Sequence, residues 1–223
     1  MATEAEHPPS SGPSNAPASG PDILIICRAN IARSPLMRLR LQWEADRRLG
    51  PGGVRIGSAG VYALFGETAA DGSVEVAARW ELSLDDHASL PIMYAPFATS
   101  LLNLVMSRSH RRALIARNAE VANRTFTVPE FVQCLERLDR HDLLPDLAPP
   151  NRSDLAPRQA VRSHLTSVAE LAAAHRPTAR RRGRDLDVPD PIAGGQRAFD
   201  ALGERFETEA RIIADALFGP TLG

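Results

Sequence analysis

The first strong signal along the chain is an apolar run, ILII at 23–26, which ends at Cys27. A short run with no polar alternation fits a strand buried on both faces of a parallel sheet. At Ser34 the period changes. In SPLMRLRLQWEADRRL the apolar positions Leu36, Leu39, Trp43 and Leu49 recur among arginines, which predicts an amphipathic helix with Ser34 as N-cap and Pro35 in the first turn. VRIGSAG then reads as a second strand running into a tight turn, AADGSVEVAARWEL as a helix and LLNLVMS as a third strand. SHRRALIARN reads as a helix capped by Ser107 or Ser109, RTFTV as a fourth strand and PEFVQCLERL as a helix opening at Pro129. The last helix spans roughly 196–217, with Phe199, Leu202, Phe206, Ile213 and Leu217 on one face.

Strands alternating with helices predict an α/β fold on a parallel sheet. The stretch from Asp139 to Arg184 breaks that rhythm. It holds Pro145, Pro149, Pro150 and Pro157, a helical segment RQAVRSHLTSVAELAAAH, and the basic loop RPTARRRGR. We read it as an insertion or lid-like appendage of one domain spanning 22–223, preceded by a flexible Pro/Ser/Ala-rich tail at 1–21.

Composition narrows the classes of function. With 43% apolar and 24% charged residues in 223, the chain can bury a core unaided. The formal charge of −1 offers no basic field for nucleic acid. All 26 basic residues are arginine, which we attribute to coding bias. No run approaches the ~18 apolar residues of a membrane span, and the first residues lack the pattern of a secretory signal. Two cysteines are too few for a disulfide framework. The expected compartment is therefore the cytoplasm. The six histidines are scattered without metal-ligand spacing, so no metal and no other cofactor is expected.

The candidate chemistry lies at the end of the first strand. Cys-x5-Arg occurs twice, as Cys27 to Arg33 and as Cys134 to Arg140, so spacing alone decides nothing. Cys134 falls within a helical pattern and reads as a small core residue. Cys27 instead sits where a strand meets a loop feeding a helix N-terminus. There the N–H groups of residues 28–33 (Arg28, Ala29, Asn30, Ile31, Ala32, Arg33) can turn inward as an anion cradle. The same field favours the thiolate, the attacking species. Arg33 can bond two phosphate oxygens with its planar fork. Ser34 can donate to the sulfur, and Asn30 suits a loop position with φ > 0. The competing reading is a buried cysteine with Arg33 and Ser34 capping a helix.

IICRANIARSP resembles the signature of the low-molecular-weight protein tyrosine phosphatase family, V-x-x-x-C-x-G-N-I-C-R-S-P. IGSAGV with Gly66, LSLDDHASLPI, LVMSRSHRRAL and DVPDPIAGG resemble further family segments in the same order. The resemblance implies a doubly wound, four-stranded parallel sheet with flanking helices and a phosphate-binding loop after the first strand. It implies a bacterial phosphomonoester hydrolase, a protein-tyrosine phosphatase. Cys27 would form a phosphocysteine, Arg33 would bind phosphate and Asp190 would act as general acid and then base. Asp185 and Asp187 are rivals to Asp190, and Pro191 favours Asp190 by stiffening the loop. His87 would brace the loop alongside Asn30 and Ser34. The partner would be a phosphorylated protein or another small phosphomonoester.

Three departures from that pattern matter. Ala29 replaces a glycine, which requires φ < 0 there. Ala32 replaces a second loop cysteine, leaving Cys27 without a local disulfide partner against overoxidation. Leu64, Ile192 and Ala193 stand where aromatic residues are usual, so the substrate pocket would rest on Tyr62, Leu64, Phe65 and Ile192. Relatives that act on phosphoarginine resemble a pattern with Thr in the slot of Ile31. Arg180, Arg181, Arg182 and Arg184 form either a solvated loop or a patch steering acidic phosphoproteins. Two other functions compete. One is an arsenate reductase using an external small thiol, which would not need an aimed acid. The other is a catalytically weak phosphate-binding module.

Overall fold

A computed structural model describes residues 20–146, 157–176 and 185–220. Four strands, β1 (Ile23–Cys27), β2 (Ile56–Gly60), β3 (Leu102–Val105) and β4 (Thr125–Thr127), form one parallel sheet in the order β2-β1-β3-β4. Helices α1 (Arg33–Leu49), α2 (Asp71–Arg79), α3 (Arg108–Arg117) and α4 (Val128–Arg140) alternate with them, followed by α5 (Pro157–Ala174) and α6 (Gly195–Phe218). Every residue of β1 is buried, as its unbroken apolar run requires. One core cluster, which includes Ile23, Ile25, Leu36, Phe131 and Phe206, lies on one side of the sheet. A second, with Leu24, Ile26, Val105 and Leu114, lies on the other. This is the doubly wound arrangement. The chain steps from β1 to β2 on one side and then to β3 on the other, so the crevice at the carboxyl end of β1 is the topological switch point. Cys27 closes that end.

Three helix starts differ in how they are capped. Thr127 caps α4 in a capping box with Glu130, and Ser107 caps α3 by accepting from the N–H of His110. Ser34 is not the cap of α1. The helix begins at Arg33 with Ala32 at the cap position, and the Ser34 hydroxyl is committed to the Cys27 sulfur.

Helix α5 corrects the lid-like reading of the 139–184 segment for its described part. Val161, Leu165, Val168, Ala169 and Ala172 are buried in the main core. Arg158 and Arg162 pair with Asp22, which is 1% exposed at the start of β1. Arg176, just past the helix, donates to the carbonyls of Ala122 and Thr125 at the start of β4. The helix therefore packs at the end of the sheet opposite Cys27. Residues 1–19 of the expected tail and Arg180, Arg181, Arg182 and Arg184 lie outside the described residues. No described helix is long and apolar enough to cross a membrane.

Candidate active site

The loop after β1 turns its carbonyls outward. Those of Arg28, Asn30, Ile31 and Ala32 accept from Tyr62 N–H (2.8 Å), His87 Nε2–H (2.7 Å), Ala70 N–H (2.8 Å) and the Ser73 hydroxyl (3.2 Å). In a trans peptide the following N–H points the other way. The N–H groups of Ala29, Ile31, Ala32 and Arg33 thus face into the loop, at the N-terminus of α1, as an anion cradle requires.

Asn30 makes this shape possible. It adopts the left-handed conformation at φ 59°, and Ala29 has a negative φ, as an alanine there requires. The buried Asn30 side chain donates to Ser34 Oγ (2.9 Å) and Ser58 Oγ (3.0 Å), and its oxygen accepts from Leu90 N–H (2.9 Å). Gly60 lets β2 approach. A Cβ there would lie 2.7 Å from the Arg28 carbonyl oxygen and 2.8 Å from the Asn30 nitrogen.

Two donors converge on the Cys27 sulfur. They are the Asn30 N–H at 3.2 Å and the Ser34 hydroxyl at 3.0 Å. Arg33, its side chain 7% exposed, donates through Nη1 to the Val188 carbonyl (3.1 Å) and through Nη2 to Asp190 Oδ2 (2.5 Å). Its buried Nε has no partner. The loop bearing Asp190 is held to the turn between β3 and α3 by Val188 N–H on the Met106 carbonyl (2.7 Å) and by Asp187 on Arg108.

These residues occur in a recognisable frame. The family model described as "Low molecular weight phosphotyrosine protein phosphatase" matches residues 22–165. The chain belongs to that family. A probable low molecular weight protein-tyrosine-phosphatase EpsP of Ralstonia solanacearum is 31% identical over 111 residues, covering 50% of this chain and 72% of that protein. The YwlE arginine phosphatase from Geobacillus stearothermophilus superposes with a TM-score of 0.57 at 22% identity, covering 86% of this chain and 90% of that one. The tyrosine phosphatase Wzb from Escherichia coli K30, in complex with sulphate, gives 0.54 at 24%, covering 87% and 97%. Family membership makes the chain a cysteine-dependent phosphatase. Relatives of both tyrosine and arginine specificity share the fold, so the fold does not choose between those substrates.

Cys27, the loop to Ser34, His87 and Asp190 are brought together. Asp185 and Asp187 are engaged elsewhere. Asp187 lies below the usual carboxylate range because, against the opposing effect of its burial, the Arg108 side chain and N–H bond it, and Asp185 accepts from the Asp187 N–H. Burial is the main cause that pushes His87 below its ordinary value, so the neutral ring donates Nε2–H to the Asn30 carbonyl. Cys134 is buried on α4, its thiol pushed up to about 12 by burial first and then by Glu130. Tyr62, Leu64, Phe65 and Ile192 are all more than half exposed and form an open rim rather than an enclosed pocket.

Two contributors to the site, Ser58 and His110, escaped the sequence reading, as did an exposed pair outside the reacting groups, Met93 and Tyr94. Ser58 anchors Asn30 from 28 positions away. Met93 and Tyr94 extend the apolar rim, Tyr94 meeting Phe65 edge-to-face at 6.2 Å. His110, on the first turn of α3, is pushed down to about 4 by burial and then by Arg33 and Arg28, with Asp190 and Asp187 opposing. Its position in LVMSRSHRRAL was visible, but nothing local marked it as buried.

Proposed function

We propose that the protein hydrolyses phosphotyrosine in proteins through a Cys27 phosphocysteine intermediate. The observation that carries this reading is the convergence of Asn30 N–H and Ser34 O–H on the Cys27 sulfur, inside a loop whose outward carbonyls leave its N–H groups facing in. A core cysteine has no use for two donors and an anion cradle. A nucleophile that must carry and then release negative charge does.

In the first step the Cys27 sulfur attacks phosphorus in line, the S–P bond forms, and the P–O bond to the phenol breaks. The inward N–H groups and Arg33 hold the equatorial oxygens. Arg33 Nε, unpartnered in its buried position, supplies one arm of the guanidinium fork, and Nη2 exchanges Asp190 for a phosphate oxygen. Asp190, displaced from Nη2 by the phosphate, delivers the proton that the leaving phenolate takes. Water then attacks phosphorus, Asp190 accepts its proton, and the thiolate departs towards the Ser34 hydroxyl. Ile31, in place of Thr, supports phosphotyrosine over phosphoarginine. Against the arsenate reductase, a reductase has no need of an acid aimed at the phosphate-binding arginine.

The test is hydrolysis of para-nitrophenyl phosphate from pH 4 to 8. Turnover should show an acidic optimum and vanish in Cys27→Ser. Asp190→Asn should reduce it by roughly 10²–10⁴, the loss typical of a general acid. Phosphate binding without turnover in the wild type would overturn the reading.

A further inference from the structure

Seven large apolar side chains among the described residues are more than 40% exposed, and six stand on the segments that frame the phosphate loop. These are Tyr62, Leu64, Phe65, Met93, Tyr94 and Ile192; Leu143 alone lies elsewhere. Apolar residues exposed singly need no explanation, but a contiguous patch marks a contact surface.

Local folding forces Met93 and Tyr94 outward. In the 3-10 turn Ile92–Tyr94, Ile92 is 2% exposed and anchors the turn in the core, as does Ala95 at 7%. Met93 and Tyr94, at 74% and 67%, are left in solvent. Their backbone is fixed. Tyr94 N–H bonds the Pro91 carbonyl, Pro91 bridges to Gly60 at the end of β2, and the preceding Leu90 N–H bonds Asn30 Oδ1. The facing loop is tied to the same frame by the Ser89 hydroxyl on the Leu64 carbonyl (2.6 Å) and by Gly66 N–H on the Ser89 carbonyl. Phe65 and Tyr94, in edge-to-face contact across these two loops, give a preformed aromatic pair, and the exposed Met93 precedes Tyr94 in the same turn.

We propose that Phe65, Tyr94 and Met93 form a docking strip for a bulky apolar side chain of the phosphoprotein substrate, two to four residues from the phosphorylated one. This rests on the reading of the Cys27 loop as a phosphotyrosine site. The strip stands on the two segments whose backbones are tied to the phosphate loop, 62–66 and 89–95. Tyr62, on the same segment as Phe65, has its N–H on the Arg28 carbonyl and its ring 5.4 Å under the Arg28 guanidinium. An extended peptide advances about 3.3 Å per residue, so such a neighbour lies roughly 7–13 Å along the backbone from the phosphotyrosine Cα. A small phosphomonoester has nothing to place there. A second copy of the chain, or a bilayer, seated on the strip would close the mouth over Cys27. A substrate polypeptide covers it in the act of presenting its phosphate.

The test pairs two peptides that carry a non-hydrolysable phosphonate analogue of phosphotyrosine. One has leucine and the other serine at the second to fourth positions on each side. Affinities are measured for wild type and for Met93→Ser/Tyr94→Ser, with para-nitrophenyl phosphate turnover measured alongside. The wild type should bind the leucine peptide about 10-fold more tightly, one well-seated apolar side chain being worth that much after association costs. The double variant should lose that preference while its aryl phosphate turnover stays at the wild-type level. Equal binding of both peptides by the wild type, a preference that survives in the variant, or no binding of either peptide overturns the proposal. So does self-association that the variant abolishes without any peptide preference. Failed aryl phosphate turnover with the peptide preference intact would instead sink the catalytic reading and leave the strip standing.

Discussion

Replacing Asn30 by alanine tests whether the phosphate loop is held by one side chain. The change removes three hydrogen bonds, to Ser34 Oγ, Ser58 Oγ and Leu90 N–H, and puts a residue that avoids left-handed backbone at φ 59°. At about 1 kcal/mol net per bond and 1–2 kcal/mol for the backbone, the loss is about 4 kcal/mol, a large share of a typical domain's stability. Asn30→Gly loses the same bonds without the backbone penalty, offset in part by the greater chain entropy of glycine. It should therefore be more stable than the alanine variant by about 1 kcal/mol. Urea unfolding separates the cases. With a slope of about 2 kcal/mol per molar, the alanine midpoint should fall by roughly 2 M and the glycine midpoint by less. Below both transitions each variant should still turn over aryl phosphate poorly, because the Ser34 hydroxyl has lost the donor that orients it toward sulfur. Alanine as stable as glycine, or either within 1 kcal/mol of the wild type, would refute the assignment of Asn30 as the keystone.

Three further outcomes follow from the same geometry. Gly60→Ala should displace the loop through the Arg28 carbonyl and cut kcat/KM for aryl phosphate by about 10²-fold, as sub-ångström to 1 Å misplacements do; steady-state kinetics with inorganic phosphate as competitor measures both effects. Iodoacetamide at pH 8 should modify Cys27 and spare Cys134, whose thiol is held up near 12, with mass spectrometry reading one adduct that is absent in Cys27→Ser. Burial first, and then Arg33 and Arg28, hold His110 neutral in the fold, with Asp190 and Asp187 favouring its proton. Its folded value is depressed, so its contribution is complete above pH 6.5 and is lost as pH falls toward about 4, amounting to roughly 3 kcal/mol at most. His110→Gln should flatten the pH dependence of the urea midpoint across that window.

The sequence made β1 and its loop legible because their logic is local. An apolar run, a thiol, an asparagine that tolerates φ > 0 and an arginine six positions on all fall within one short stretch. The rule that made Ser34 an N-cap was also local, and it failed for a physical reason. The sulfur seven residues back competes for the same hydroxyl, and the helix start does without a side-chain cap. The rival acids could be separated only in three dimensions, where Arg108 takes Asp187 and leaves Asp190 to Arg33. Ser58 and His110 are invisible to local rules, since each matters only through a partner on another element.

Helix α5 shows the complementary case, in which the information was present but the rhythm of the chain concealed it. Its apolar positions 161, 165, 168, 169 and 172 recur at helical spacing, which by itself predicts a buried face. The surrounding prolines, Pro145, Pro149, Pro150 and Pro157, interrupt the alternation of strands and helices on its N-terminal side. The position of the helix then constrains what this segment does. A helix bonded to Asp22 at one end and followed by Arg176 on Thr125 spans the amino ends of β1 and β4, so it braces the sheet from the side opposite the thiol. A buried Asp22 with two arginine partners is costly to break from one side, since removing either cation leaves charge without full compensation. Substitutions in α5 should therefore act through stability, whereas substitutions on the exposed strip should act through recognition. The two sets of residues lie at opposite ends of the same four strands.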